Sequence, residues 1–404
     1  MKLNKIVFLC CVLNALNAFS QRSISSEDFK PYTSYFSLAE NHEIEGNAKD
    51  LFLNAIGNNQ FVGIAEVHDS QQLSFFTTGF LKLLKQKGFH HFALEIGPYS
   101  SAILQGISKQ PEKIVASIKS INRTYGKKGY AKSPIPFVKN TEDALFVQQA
   151  SELGFKFWGL DQEYLYSYEM HLDSLYAWAN NGSKEFDEYY EKSKEIIKKS
   201  NFKRKVNGKP RNCWFTDEPT INKFFELCQH NLKAKGLIDA LKVSLEIYCI
   251  NESSGNSNQQ RADYMKTNFD EYYQEVQKNR KSLPKVVLKF GSVHLTHGIS
   301  PFGVHDVGEY LTKKAKDNNT GFLAIRHLSK YRNGRNLVGK LGWKGNEILM
   351  TLGKKDKWTV VDLRPIREKL ERKVLKASKK ISFEVYSYDL LLIPPNDTSL
   401  TLNY

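Results

Sequence analysis

The stretch 61–70 constrains the fold more than any other part of the chain. Residues 61–65 (Phe-Val-Gly-Ile-Ala) form a short apolar run between polar residues, which is typical of a buried strand. Ser70 suits a helix N-cap, and a helical pattern follows over residues 71–87. Three ionisable residues therefore stand where a buried strand gives way to a helix: Glu66, His68 and Asp69.

Three further apolar runs end in the same manner. Residues 90–96, 155–160 and 286–290 each predict a buried strand. The spacing from strand 61–65 through helix 71–87 to strand 90–96 is that of a βαβ crossover, which makes the strands parallel. Because ligands bind at the carboxyl edge of such sheets, we expect the ionisable residues that end these runs to share one site with the first three: Glu95, Asp161, His294 and His297.

The pattern as a whole predicts an α/β fold with a mostly parallel central sheet flanked by helices. We expect one α/β domain over residues 21–330, with a further strand at 321–326. A charged stretch with apolar residues at spacings of three and four predicts a large helical insertion at about 163–283. The basic segment 123–139, rich in Gly, Pro and Tyr, predicts a long loop, and such loops often act as lids.

Residues 331–404 predict a small β-rich extension packed on the same domain. The expected strands lie at about 347–352, 358–362 and 383–393, and a basic helix is expected near 366–379.

The N-terminal residues predict export. Residues 1–20 combine a positive start (Lys2 and Lys5), an apolar core at 6–16 and a small-x-small cleavage site, as in a signal peptide. The apolar part is too short to span a membrane, and no later segment is long enough. We therefore expect a periplasmic or extracellular protein with no membrane span.

The net charge bears on which partners the protein binds. The formal charge of +15 is spread along the chain with acids interleaved, which indicates a solvated basic surface, the alternative being attraction to anionic polymers or lipid surfaces. No nucleic-acid-binding signature occurs, so the expected partner is a small-molecule substrate.

Three cysteines remain after export, so one disulfide can form, for example between Cys213 and Cys228.

Two histidines and several carboxylates at one edge are compatible with three chemistries. In the first, His68 takes a proton from water, Glu66 or Glu95 orients the ring, and His294 donates to the leaving group or binds the oxyanion. In the second, His68, His294 and a Glu bind a divalent metal, although the helical His-Glu-x-x-His spacing is absent. In the third, a histidine ligates haem. The chain has no Gly-x-Ser-x-Gly motif, which disfavours covalent acyl transfer.

At these residues the chain resembles the erythromycin esterase-like superfamily, which also includes ChaN-like haem-binding proteins and, more distantly, Tiki-type proteases. The resemblance rests on five motifs in this order: Gly63-Ile-Ala-Glu66-Val-His68, Ala93-Leu-Glu95, Gly159-Leu-Asp161-Gln162, Arg261-x-x-x-Met265-x-x-Asn268, and His294 ahead of Gly308-Glu-Tyr-Leu311. It implies an α/β fold with helical insertions and hydrolysis by a histidine-activated water, with no obligatory metal or other cofactor.

The resemblance also implies roles for individual residues. His68 would be the general base, Glu66 and Glu95 would support it, and His294 would complete the site. On the same analogy Arg261 would help to bind or position groups. Asp69, Asp161 and His297, which follow the predicted strands, are further candidates for substrate binding.

The motif around His68 departs from the esterase pattern. The esterases usually have Glu-x-x-His followed by Gly and Arg, whereas this chain has Glu66-Val-His68-Asp69. Glu-x-His-Asp is more similar to the haem-binding group. Two alternatives to an esterase-like hydrolase therefore stay open, a ChaN-like haem- or iron-binding protein and a metal-dependent peptidase of Tiki type.

Overall fold

The computed structural model describes residues 21–126, 132–201, 203–278 and 282–404. The predicted signal peptide at 1–20 lies outside these ranges, as does part of the predicted loop at 123–139. Within them, no helix is both long and apolar enough to cross a membrane.

The central sheet has eight strands, numbered here in chain order: β1 Thr33–Phe36, β2 Asn59–Glu66, β3 His91–Leu94, β4 Lys156–Gly159, β5 Val286–Gly291, β6 Gly321–His327, β7 Trp358–Asp362 and β8 Leu390–Ile393. Their order across the sheet is β1-β7-β8-β6-β2-β5-β3-β4. The pairs β1/β7 and β7/β8 are antiparallel, and all other neighbours are parallel. The predicted α/β fold with a mostly parallel sheet is therefore confirmed.

The described helices follow in chain order: α1 Ala48–Ile56, α2 Gln71–Gln86, α3 Pro98–Ile107, α4 Ile114–Tyr125, α5 Thr141–Glu152, α6 Tyr168–Ala179, α7 Lys184–Ser200, α8 Arg211–Thr216, α9 Pro219–Cys228, α10 Leu232–Ser254, α11 Asn258–Lys278, α12 Val307–Asp317, α13 Glu347–Met350, α14 Arg364–Glu371 and α15 Lys379–Ser387. Short 3₁₀ turns and three two-stranded ribbons complete the described structure: Arg22–Ser23 with Leu375–Lys376, Lys205–Val206 with Lys209–Pro210, and Tyr331–Arg332 with Arg335–Asn336.

Strand β2 lies in the middle of the sheet between β5 and β6 and is buried on both faces. Alternate residues face opposite sides, so Val62 and Ile64 pack in one hydrophobic cluster and Phe61 and Ala65 in the other. This explains why the strand is apolar throughout rather than alternating. The side chain of Ser70 accepts a hydrogen bond from the Leu73 N–H at 3.0 Å, so the predicted N-cap of α2 is confirmed.

The predicted helical insertion contains α6 to α11. Helices α6 to α10 share a hydrophobic core of their own, whereas the buried apolar residues of α11 pack against the central sheet. A disulfide joins Cys213 of α8 to Cys249 of α10, and Cys228 is free and buried. The Cys213–Cys228 pairing given as an example was therefore wrong. Its physical reason is that Cys228 lies on the apolar face of α9 inside the insertion core, whereas the Cα atoms of Cys213 and Cys249 are 4.7 Å apart.

The region 331–404 differs from the sequence prediction in three places. Residues 347–350 form the single-turn helix α13 instead of a strand, and the predicted strand 383–393 is divided between α15 and β8. The Ser378 side chain caps α15, and Ile381 and Val385 supply its buried face. The predicted helix near 366–379 is α14, which is shorter than expected and ends at Glu371. Two residues later, Lys373 has a φ of 57°, which does not continue a helix. The strand expected at 358–362 is confirmed as β7.

A buried glutamate–histidine contact connects the insertion to the α/β core. The carboxylate of Glu163 contacts His171 Nε2 at 2.8 Å, and both side chains are fully buried. The same carboxylate accepts hydrogen bonds from the Ser100 hydroxyl at 2.6 Å and from the Tyr99 N–H at 2.7 Å, at the N-terminus of α3. Glu163 thus holds α3 and α6 together.

We predict that His171→Leu destabilises the protein strongly. Without the imidazole, the Glu163 charge would stay buried with fewer partners, and breaking such pairs lowers the free energy of unfolding by about 3–5 kcal/mol. Urea denaturation monitored by circular dichroism measures this change. Glu195→Gln is the matched control, because the Lys199–Glu195 pair lies on the exposed surface of α7 and its loss should leave the midpoint unchanged. A His171→Leu variant as stable as the parent would contradict the assignment.

Candidate active site

The carboxyl edge of the sheet brings together residues from four strands. Glu66 is the last residue of β2, Glu95 follows β3 directly, Asp161 follows β4, and His294 lies in the turn after β5. The structure therefore brings these predicted site residues to one edge, as parallel strands require.

His68 and Glu66 form a hydrogen-bonded pair. The His68 Nδ1 and a Glu66 carboxylate oxygen are 2.9 Å apart. Because an ionised carboxylate only accepts hydrogen bonds, Nδ1 carries the proton. In the neutral ring, Nε2 is then the basic nitrogen. Burial lowers the pKa of His68, but its hydrogen bond to Glu66 and the charges of Glu66 and Glu95 outweigh this effect and raise the pKa above its ordinary value.

Lys289 of β5 keeps Glu66 ionised. Its ammonium group donates to the second Glu66 oxygen, and both side chains are almost completely buried. Burial alone would raise the pKa of Glu66, yet the Lys289 charge and the hydrogen bond from His68 hold this pKa below its usual value. The sequence interpretation missed Lys289, although a lysine inside an otherwise apolar strand is the signal that could have revealed it.

Asp143 of α5 lines the same cavity as Lys289 and interacts with its charge. It accepts hydrogen bonds from the Ser74 hydroxyl at 2.7 Å and from the Asn140 amide at 3.1 Å. Burial raises the pKa of Asp143 to about 6, against the opposing effect of the Lys289 charge. This carboxyl therefore changes its charge near neutral pH.

Glu95 lies at the centre of a second set of contacts. It accepts hydrogen bonds from Arg261 Nη2 at 2.8 Å and from the Gly291 N–H at 2.6 Å. Burial raises its pKa, but the charges of His294 and Arg261 reverse this, so the pKa of Glu95 lies below its usual value. A Cβ atom at Gly291 would lie 3.2 Å from His68 Nε2 and 3.3 Å from a Glu95 oxygen, so the glycine leaves room for these two groups to approach each other.

His294 is held between two carboxylates. Its Nδ1 contacts Asp306 at 2.8 Å and its Nε2 faces Glu95 at 3.5 Å. Burial lowers the pKa of His294, but the hydrogen bond to Asp306 and the Glu95 charge outweigh it and raise the pKa. The ring is almost fully buried and is not among the residues that line the cavity. Asp306 was missed because its position before α12 suggests only an N-cap, a role that it also has.

Arg261 lies in the first turn of α11 and binds two of the predicted site residues. Its guanidinium donates to both oxygens of Asp161, at 2.9 and 2.5 Å, and to Glu95. The rest of the motif fixes α11, since Met265 is buried in the core and the Asn268 amide donates to the Leu160 carbonyl at 2.8 Å. The helix therefore carries the arginine to the sheet edge.

The other two predicted substrate-binding residues have different surroundings. Asp69 lies at the cavity with a φ of 68° and pairs with Arg332 at 2.7 Å. The structure does not bring His297 to the cavity. Its Nε2 contacts Asp389 at 2.7 Å and its Nδ1 contacts the Thr312 hydroxyl at 2.9 Å, so this histidine fixes the turn after β5 to neighbouring elements.

A cavity of about 560 Å³ opens at this edge. Its lining includes Glu66, His68, Lys289 and Arg261, together with residues of the insertion such as Tyr248. The His68 ring stacks on Phe137, with ring centres 4.4 Å apart, and 46% of its side chain is exposed. Phe137 belongs to the predicted loop 123–139. Residues 123–125 of this range are the end of α4, and residues 133–139 contribute to one wall of the cavity.

One group of side chains has the donor set of a metal site. The ligand atoms of Glu66, His68 and Glu95 all lie within 4.8 Å of one another. Both carboxylates are, however, already paired with protein cations, Glu66 with Lys289 and Glu95 with Arg261. A divalent ion would have to displace or tolerate these charges, so the set fits a metal poorly.

Comparison with known proteins shows the fold of this chain. No protein-family model matches it, and no curated protein sequence is significantly similar. Among solved structures, a Bacillus cereus protein superposes with a TM-score of 0.55 at 13% identity, over 93% of this chain and 98% of the other. A succinoglycan biosynthesis protein gives a TM-score of 0.55 at 13% identity, over 93% and 97%.

A mutant of the erythromycin esterase EreC in its open conformation superposes with a TM-score of 0.53 at 10% identity, over 90% of this chain and 97% of the other. The predicted erythromycin esterase-like fold is therefore confirmed. Identities of 10–13% support the fold and nothing finer.

We predict that Glu66→Gln lowers the pKa of His68. The carboxylate supplies the main interactions that raise this pKa, and the burial that remains acts in the opposite direction. Titration of the histidine ring signals by NMR measures the shift. Glu309→Gln, which removes the carboxylate beside the surface residue His305, should leave the His68 titration unchanged. An unaltered His68 titration in Glu66→Gln would contradict the pairing.

Proposed function

We propose that the protein is a hydrolase that cleaves an ester or related bond by means of a water molecule activated by His68. The observation that carries the proposal is the His68–Glu66 pair at a cavity of substrate size, with Nδ1 bound to the carboxylate and Nε2 left as the base. The shared fold with an erythromycin esterase makes this reaction class a reasonable starting point.

Glu66 orients the ring and stabilises the imidazolium that forms when Nε2 takes a proton from water. Lys289 ensures that Glu66 is charged when this happens. Glu95 adds a second negative charge near the ring, and its own ionisation is maintained by Arg261, His294 and the Gly291 N–H. In this scheme His294 positions Glu95 and keeps its carboxylate ionised. It does not donate a proton to the leaving group.

Arg261 is our candidate for oxyanion stabilisation. Its contacts with Asp161 and Glu95 use Nε and Nη2 and hold the guanidinium in a fixed orientation at the cavity. A preorganised positive charge of this kind stabilises the negative oxygen of a tetrahedral intermediate. Arg261 would thus supply, from helix α11, the positive charge that the esterases carry shortly after their Glu-x-x-His motif.

We predict that His68→Ala lowers kcat/KM by about 10²–10⁴-fold on any ester that the protein hydrolyses, because general-base catalysis contributes an effect of this size. A panel of 4-nitrophenyl esters, followed by release of 4-nitrophenolate, provides the measurement. His305→Ala is the control, since His305 is exposed and does not line the cavity. Unchanged hydrolysis by His68→Ala would exclude His68 as the base.

The same assay separates this proposal from metal-dependent hydrolysis. With the acidic ligands paired internally, excess EDTA should leave the wild-type rate unchanged. Loss of activity in EDTA, restored by a divalent cation, would instead favour a metal bound by Glu66, His68 and Glu95.

A further inference from the structure

The segment 397–404, which forms no helix or regular strand, contributes two residues to the wall of the cavity and is named the strap here. Its first residue is anchored firmly. Asp397 is fully buried and accepts hydrogen bonds from the Ser329 hydroxyl at 2.9 Å and from the Gln72 N–H at 3.2 Å. The strap is therefore fixed to the segment just after β6 and to the start of α2 before it reaches the cavity.

Hydrogen bonds continue along the strap. The Gln71 N–H donates to the Thr398 carbonyl at 3.0 Å, and the Thr141 N–H donates to the Thr401 carbonyl at 2.9 Å. The Leu400 N–H donates to Asp69 at 3.2 Å, next to His68 in the chain. The Asn403 side chain is buried and donates to the Val115 carbonyl at 3.0 Å. These hydrogen bonds hold the strap in place. The side chains of its two leucines take no part in them.

Leu400 and Leu402 both line the cavity. Both leucines therefore contribute to the same wall of the cavity. Leu402 is exposed, at 41% of the full accessible surface of the residue, although an apolar side chain gains free energy from burial. The Phe137 ring, stacked on His68, adds further apolar surface to the same cavity. An apolar group of a ligand that binds near His68 would cover these side chains.

Three of the carboxylates that line the cavity are paired with cationic side chains. Glu66 pairs with Lys289, Asp161 with Arg261, and Asp69 with Arg332. An ionic ligand would compete with these pairs, whereas an uncharged one would leave them intact.

We propose that the substrate is an uncharged ester with an apolar acyl group, and that Leu400 and Leu402 of the strap form the surface that receives this group. The inference rests on the proposed hydrolase function and adds its substrate class and two specificity-determining residues. The leucines act by contact with the substrate chain and have no part in the chemistry at His68.

The test compares 4-nitrophenyl acetate, butyrate and hexanoate as substrates of the full-length protein. Each methylene that enters an apolar site favours binding, so kcat/KM should rise at least tenfold from acetate to hexanoate. The double variant Leu400→Ala/Leu402→Ala should lose most of this preference, so that its ratio of kcat/KM for hexanoate to kcat/KM for acetate falls towards one. Leu402→Met, which conserves side-chain volume, should retain the preference. Leu341→Ala is the control, since Leu341 is almost fully exposed and does not line the cavity.

A chain-length preference that survives in the double variant, or its absence from the wild type, overturns the proposal. If none of the esters is hydrolysed, the amides N-(4-nitrophenyl)hexanamide and N-(4-nitrophenyl)acetamide serve as binding probes in a thermal-shift assay. A larger rise of Tm with the hexanamide in the wild type, lost in the double variant, would support the strap as an acyl site while the hydrolase proposal fails. Equal shifts with both amides, or in both proteins, overturn the inference.

Discussion

The buried ion pair between Glu66 and Lys289 is the interaction on which the candidate site depends. The two residues lie on neighbouring parallel strands, and the β2/β5 register places Lys289 opposite Ile64, two residues before Glu66. Removing two charges from water is costly, so such a pair persists only where the geometry is fixed. With Glu66 held in its charged form, His68 is oriented through Nδ1, and the residue lines the cavity. Glu95 is maintained in the same way by cations from α11 and from the turn after β5.

Much of this arrangement follows from the sequence because buried parallel strands have a simple signature. The apolar runs that became β2 to β6 were identified, and their order implied that the residues ending them would meet at one edge. Glu66, His68, Glu95, Asp161 and His294 do lie there, and Arg261 joins them from a helix whose motif residues Met265 and Asn268 pack inward. The residues at the strand ends carry this information because the carboxyl ends of parallel strands all lie at the same edge of the sheet.

The features that were not predicted depend on tertiary contacts, and a short stretch of sequence does not specify the partner in such a contact. Lys289 lies inside an apolar strand, and its burial makes sense only beside Glu66. His294 and His297 follow the same strand, and the sequence does not distinguish the one that faces Glu95 from the one that faces Asp389. The strap has no hydrophobic periodicity in its sequence. Its position is fixed by hydrogen bonds to residues that are distant in the chain, which a local pattern does not reveal. In the region 331–404, short apolar segments such as 383–393 could be either strand or helix, and local capping by Ser378 decided the outcome.

The pH dependence of kcat/KM in the wild type and in Glu66→Gln tests the central claim most directly. A general base must be neutral to act, so the rate should rise with pH through the pKa of His68, which lies above the ordinary value of 6.5. Loss of the Glu66 charge should lower this pKa and move the rising limb to lower pH, together with a lower maximal rate. A limb at the same pH in both proteins would contradict the account, because the group that controls the rate would then not be the histidine paired with Glu66.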